Sequence, residues 1–216
     1  MADNLKKSAW FKNSCCSILK DGARFIFKKN LVHEKLVFPE KNVLGNVVEL
    51  LLDKDNRGGA EIYFKKVETL RDFIKRGNVG YEHALKCVDS MLRQYHVLSK
   101  IGHVIGDLST DSILVFDEET FLYVGKRDSD ADLREIKDGM VSCLAGDKAK
   151  YALEETCAGG DRVDMHACHY ILGKVIVEVV FGKYTENLLP IINTKMYFFI
   201  KRCFDPDPEL RVLIWI

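Results

Sequence analysis

Ile105-Gly106-Asp107-Leu108-Ser109-Thr110-Asp111-Ser112-Ile113-Leu114-Val115 is the stretch on which the reading of this 216-residue chain turns. Its last three residues open a short strand, Ile113 to Phe116. A second strand, Thr120 to Val124, follows across the acidic turn Asp117-Glu118-Glu119. Upstream, Tyr81 to Ser99 carries the longest helical pattern in the chain. Leu85, Val88, Leu92, Tyr95 and His96 share one face, and Lys100-Ile101-Gly102 supplies a basic last turn and a terminating glycine. A shorter helix, Leu70 to Gly77, precedes it. Downstream, residues 126–149 are polar and charge-mixed, which predicts a loop. His169 to Phe181 is apolar almost all round, which predicts a helix buried on every side. Met196 to Phe204 reads as an amphipathic helix closed by Pro206 and Pro208.

Nearer the start, Val47 to Leu52 is a buried-strand candidate, Lys54 to Gly59 a turn by composition, and Ile62 to Val67 a second strand; together they predict a hairpin. Phe25-Ile26-Phe27 suits a strand or an anchor. Residues 3–22 read as a helix, with Asp3 or Asn4 as its cap and Gly22 past its end. Phe11, Cys15 and Ile18 fall at helical spacing, with Trp10 and Leu19 beside them and Lys6, Lys7, Lys12 and Lys20 elsewhere. The fold class expected is α+β and mostly helical. It comprises an N-terminal helical extension over 1–22 and one domain over 23–216.

Composition narrows the function classes. Hydrophobic residues make up 47% and charged residues 30%, values that disfavour disorder and coiled coil. Lys+Arg and Asp+Glu both number 32, so net charge argues for neither nucleic acid nor an acidic membrane surface. No apolar run reaches the roughly 20 residues that span a bilayer, and the first residues lack a signal peptide's apolar region. The 7 cysteines are an odd count without C-x-x-C spacing, so they read as reduced core thiols of an intracellular protein. His166 and His169 are three apart without a third ligand nearby, and His103 reads as a packing residue, so no metal or cofactor is expected. No G-x-S-x-G, H-E-x-x-H or P-loop lysine offers hydrolase or nucleotidase chemistry.

The order of elements resembles the large, C-terminal lobe of a eukaryotic protein kinase, and five motifs carry the resemblance. Ile105 to Val115 resembles the catalytic loop H-R-D-L-K-P-x-N-I-L-V. Leu122-Tyr123-Val124-Gly125-Lys126-Arg127-Asp128 lies where a strand leads into D-F-G, with Lys126 nineteen positions after Asp107. Tyr151-Ala152-Leu153-Glu154-Glu155 stands for Y-x-A-P-E, Leu172 to Gly182 for the central buried helix, and Asp205-Pro206-Asp207-Pro208-Glu209-Leu210-Arg211 for D-P-x-x-R. Residues 43–68 would then be a residual small-lobe and hinge segment.

The departures matter more than the matches. A kinase's glycine-rich loop and V-A-I-K lysine do not occur before the hinge-like Lys65-Lys66-Val67-Glu68. Asp107 matches the catalytic aspartate, but Ser112 replaces the metal-binding asparagine and Lys126 the metal-binding aspartate. A register slip of three puts Tyr123-Val124-Gly125 there, still without a metal ligand. A cation about 4 Å from a divalent ion is repelled by several kcal/mol at intermediate dielectric. Ser109 replaces the catalytic-loop lysine, and Gly106 the neighbouring arginine. Glu155 and Arg211 match a buried structural ion pair. Cys168, or Asp164 in another register, stands at the aspartate that braces the catalytic loop. Only 23 positions separate Gly182 from Asp205, fewer than a kinase usually has.

The chain also resembles baculoviral truncated kinase-like inhibitors of the host kinases that phosphorylate translation initiation factor two alpha. That resemblance implies a catalytically dead lobe mimic, with Asp107 vestigial, acting in the host cytoplasm on such a kinase through its small lobe. Trp10, Phe11, Cys15, Ile18, Leu19, Phe25 and Phe27 are the candidate partner-binding residues, although the first segment could equally cover the chain's own lobe. Two other readings stay open: a decoy that captures the kinase's substrate, and a residual kinase completed by a borrowed small lobe.

Overall fold

Twelve short strands and four α-helices follow one another along the described residues of the computed structural model, which makes the chain an α+β protein. The structure describes residues 9–12, 16–19, 25–27, 47–52, 58–62, 65–77, 79–127, 132–142 and 162–213. The β content exceeds the mostly helical expectation, and the difference begins at the N-terminal end.

There the expected helix over 3–22 gives way to two strands, β1 (Ala9–Lys12) and β2 (Cys16–Leu19). They continue through β3 (Phe25–Phe27) into a five-stranded antiparallel sheet with β4 (Val47–Leu52) and β5 (Gly58–Ile62), in the order β1-β2-β3-β5-β4. Residue chemistry explains the miss. Trp, Phe, Ile and Cys give up rotamer freedom in a helix and suit a pleated surface, and Asn13-Ser14 are turn formers by type. Two of the residues at helix-like spacing, Phe11 and Ile18, are instead register partners, in a row that continues across the sheet. Phe11 pairs with Ile18, Ile18 with Phe25, Phe25 with Ile62 and Ile62 with Val47. The hairpin expected over 47–67 exists with its second strand four residues earlier. Gly58 and Gly59 are paired opposite Leu52 and Leu51 instead of forming the turn, and Val67 belongs to the next sheet.

That sheet has three antiparallel strands, β6 (Val67–Thr69), β8 (Ile113–Phe116) and β9 (Thr120–Tyr123), in the order β6-β8-β9. The acidic turn between β8 and β9 places Asp117 at φ 51° and Glu118 at φ 64°, the left-handed pair that suits the twist of a tight hairpin. Asp117 Oδ1 also accepts the backbone N–H groups of Lys65 and Lys66, at 2.9 and 2.8 Å. Helix α1 (Leu70–Lys75) starts at Thr69, whose hydroxyl accepts from Asp72 N at 3.1 Å, and stops at Gly77 with φ 78°.

Helix α2 (Tyr81–Lys100) buries Val88, Leu92 and Tyr95 as its periodicity requires, while His96 stays exposed. Its buried face also carries Gln94, which no apolar pattern would place there. Gln94 Nε2 donates to Phe121 O at 2.8 Å, and Gln94 Oε1 accepts from Tyr123 N at 2.8 Å, so one side chain satisfies two outward backbone groups of β9.

Helix α3 (Ala167–Phe181) begins two residues earlier than its apolar run suggests and has no exposed residue from end to end. Gly182, at φ 73°, terminates it. Helix α4 (Lys195–Cys203) is capped by Thr194, which accepts from Tyr197 N at 3.1 Å, and packs against α3. The contact is close because Gly173 has no side chain: a Cβ there would lie 2.7 Å from Cys203 Cβ. The loop expected over 126–149 is partly β. β10 (Leu133–Glu135) pairs with β7 (His103–Ile105), and β11 (Met140–Ser142) with β12 (Arg162–Asp164). Three-residue strands paired across tens of residues leave no periodicity to read.

Candidate functional site

Residues 106–112 link β7 to β8 and are fastened from four directions. Gly106 N donates to Asp132 O at 2.8 Å. Arg71 on α1 donates to Asp111 Oδ2 at 2.6 Å, and its backbone N–H to Thr110 O at 3.0 Å. Glu178 on α3 bonds the Thr110 side chain, and Val124 N donates to Ser112 O at 2.9 Å. Partial burial pushes the Glu178 carboxyl above the ordinary range; the charge of Arg71 and the Thr110 hydrogen bond only partly oppose that.

Within the loop, Ser112 is wholly buried and closes the turn on itself. Its hydroxyl donates to Ser109 O at 2.8 Å and accepts from Ser109 N at 2.8 Å. Asp107 stands at the mouth of the turn. Lys126, just past β9, places Nζ 2.7 Å from Asp107 Oδ2, with the side chains 46% and 20% exposed. A neighbouring ammonium thus holds this carboxylate oxygen. No group of three or more His, Cys, Asp or Glu is placed to hold a metal ion among the described residues. Lys126 could be singled out from the sequence; its direct pairing with Asp107 could not.

Gly106 has a reason that the sequence left hidden. A Cβ there would meet Arg134 Nε at 2.1 Å, because the Arg134 guanidinium lies across the backbone at this point. Arg134 is buried at 7% exposure, forks onto Asp132 through Nε (2.9 Å) and Nη2, and donates through Nη1 to Ser142 O at 2.7 Å. One arginine thus ties β10, β11 and the 106–112 loop together. Its signal in the sequence was the glycine itself, at a place where a side chain was expected.

Of the two residues considered for bracing the loop, Cys168 is wholly buried. Asp164 turns the other way, accepting from His166 N at 2.8 Å and from His166 Nδ1 at 2.7 Å. Arg211 is fully buried. It donates through Nε to Asp205 O at 2.7 Å, and its guanidinium stands 5.4 Å from the centroid of the Tyr170 ring. Its expected partner Glu155 lies outside the described residues, as does Cys15. Phe11, Ile18 and Phe25 occupy consecutive register positions in the N-terminal sheet, with Phe27 opposite Cys16 and Leu19 opposite Ala9; Trp10 falls at the irregularity between Ala9 and Phe11. A helix face presenting those residues is ruled out by these strands.

No helix among the described residues is long and apolar enough to cross a membrane. No protein-family model matches this chain, and comparison with curated proteins finds no match.

Proposed function

We propose that this chain is a catalytically inert mimic of a protein kinase's large lobe. It binds the small lobe of a host kinase that phosphorylates translation initiation factor two alpha and keeps translation running in the cytoplasm of an infected cell. The observation that carries the inert part is the Asp107–Lys126 ion pair at 2.7 Å. The carboxylate matched to the catalytic aspartate is neutralised by the residue that stands where a metal-binding aspartate is expected. Phosphoryl transfer depends on placing metal charge against phosphate oxygens, and an ammonium at that position works against it. Ser112 adds to this, since its hydroxyl closes the local turn. The binding part rests on the resemblance of residues 105–115, 122–128, 151–155, 172–182 and 205–211 to large-lobe motifs in the right order. The apolar register row through Phe11, Ile18 and Phe25 is the proposed anchor.

The test is a binding titration of the full chain against isolated small and large lobes of a translation-factor kinase, with the factor's alpha subunit as a third arm. Saturable binding to the small lobe with inhibition of the intact kinase is expected. Binding to the alpha subunit alone would make the protein a substrate decoy, and magnesium-dependent phosphate transfer in the mixture would make it a reconstituted enzyme.

A further inference from the structure

We propose that a cavity of about 230 Å³ between α2, β7 and the start of α3 binds a small, neutral aromatic molecule carrying one N–H or O–H donor. Its walls are largely hydrocarbon and thioether, from Leu92, Val104, Ile136, Met165 and Leu213. Set among them are the Ser99 hydroxyl and four imidazoles, His96, His103, His166 and His169, and hydrogen bonds fix which nitrogen carries the proton in the last three.

His169 Nδ1 lies 2.6 Å from Arg211 O, and a carbonyl can only accept, so Nδ1 holds the hydrogen. Burial pushes the His169 pKa down to about 4, so the ring is neutral near pH 7 and Nε2 is a bare acceptor. No donor meets that atom among the described residues. His166 Nδ1 faces Asp164 Oδ1 at 2.7 Å and His103 Nδ1 faces Ile101 O at 2.8 Å, so in their neutral forms these rings also leave Nε2 as an acceptor. Edge-to-face packing holds His169 in place, against His166 at 5.2 Å and Tyr95 at 5.6 Å between centroids. The Tyr95 hydroxyl is already directed at Cys168 O, 3.4 Å away.

An acceptor in the wall of a largely apolar cleft gains a hydrogen bond shielded from water when a ligand brings the donor. The alternatives fit less well. A metal would need ligands that converge, and these residues do not form such a group. An anion would meet lone pairs, and a cation would find the Asp164 carboxylate already engaged by His166. For size, a dry cavity of about 150 Å³ takes a benzene ring, so the larger volume here suits a fused bicycle.

The probe is indole, titrated into the full chain by calorimetry and by the ring C–H signals of its histidines. The control is 1-methylindole, which keeps the shape and loses the donor. Indole should bind saturably and about tenfold more tightly than 1-methylindole, the difference expected of one hydrogen bond. In His169→Phe, with folding checked by circular dichroism, that preference should vanish. Equal affinity of the two probes for the unmodified protein overturns the proposal, as does failure of indole to saturate at a few millimolar. The comparison on the unmodified chain needs no variant to fold.

Discussion

A methyl group at position 106 would be built 2.1 Å from Arg134 Nε, and the arginine cannot swing away without leaving Asp132 and Ser142 O. Gly106→Ala should therefore destabilise the protein by about 1–3 kcal/mol, the usual cost of overpacking, read as a lower midpoint in urea. Arg134→Lys should cost a similar amount, because a point charge cannot replace a fork that satisfies two segments at once. Lys126 behaves differently. Its pair with Asp107 is half open to water, so Lys126→Ala should shift stability by no more than about 1 kcal/mol. Under the proposed function, Lys126→Asp combined with Ser112→Asn should leave inhibition of a translation-factor kinase intact, as measured by phosphorylation of the translation factor. Loss of inhibition in that double variant would mean the Asp107–Lys126 pair serves binding.

At the scale of elements, what could be read from the sequence and what could not divide by length and by locality. Helix α2 announced itself through about three turns of apolar spacing, and α3 through an unbroken apolar run; both lie within two residues of where the pattern put them. The β8–β9 hairpin was equally plain, because its turn residues and both strands are contiguous. Short strands paired at a distance were not. β10 and β12 each contribute three residues and find their partners tens of positions away. The N-terminal segment failed for another reason: two four-residue strands folded on each other set Phe11 opposite Ile18, seven positions on, a spacing that also fits a helix face. Residue type was the better guide there, since aromatic and β-branched residues without Ala, Leu-rich or Glu-rich stretches favour a sheet. The α3–α4 contact supports a prediction of its own. Gly173→Ala gains up to about 1 kcal/mol of helix propensity, but the new Cβ meets Cys203 Cβ at 2.7 Å. That atom is fixed to helix backbone, so the net effect should be a loss, seen as a lower melting temperature. Within the candidate site, the sequence singled out Asp107, Ser112 and Lys126 through the resemblance alone. It could not identify Arg134, whose role depends on two sheets meeting.

For the whole molecule, His169 and Glu178 set opposing pH dependences. His169 titrates near 4 in the folded state against 6.5 for the ordinary imidazole, so the unfolded chain binds the extra proton between those values. Stability should fall as pH drops from 6.5 towards 4, by on the order of 2–3 kcal/mol, and His169→Asn should flatten that slope in denaturant titrations. Glu178 has a raised carboxyl pKa, so the folded state holds its proton longer. Its contribution to stability falls as pH rises through the region just above the usual carboxylate range, and Glu178→Gln should be the more stable protein at pH 7. Gln94 has a consequence beyond the fold itself. The outer rim of β9 would otherwise offer a template for a stranger's strand to add on and grow. By occupying Phe121 O and Tyr123 N, a single amide on the helix that covers this rim closes it from within, and Gln94→Leu, which strands both groups in a buried place, should lower the melting temperature.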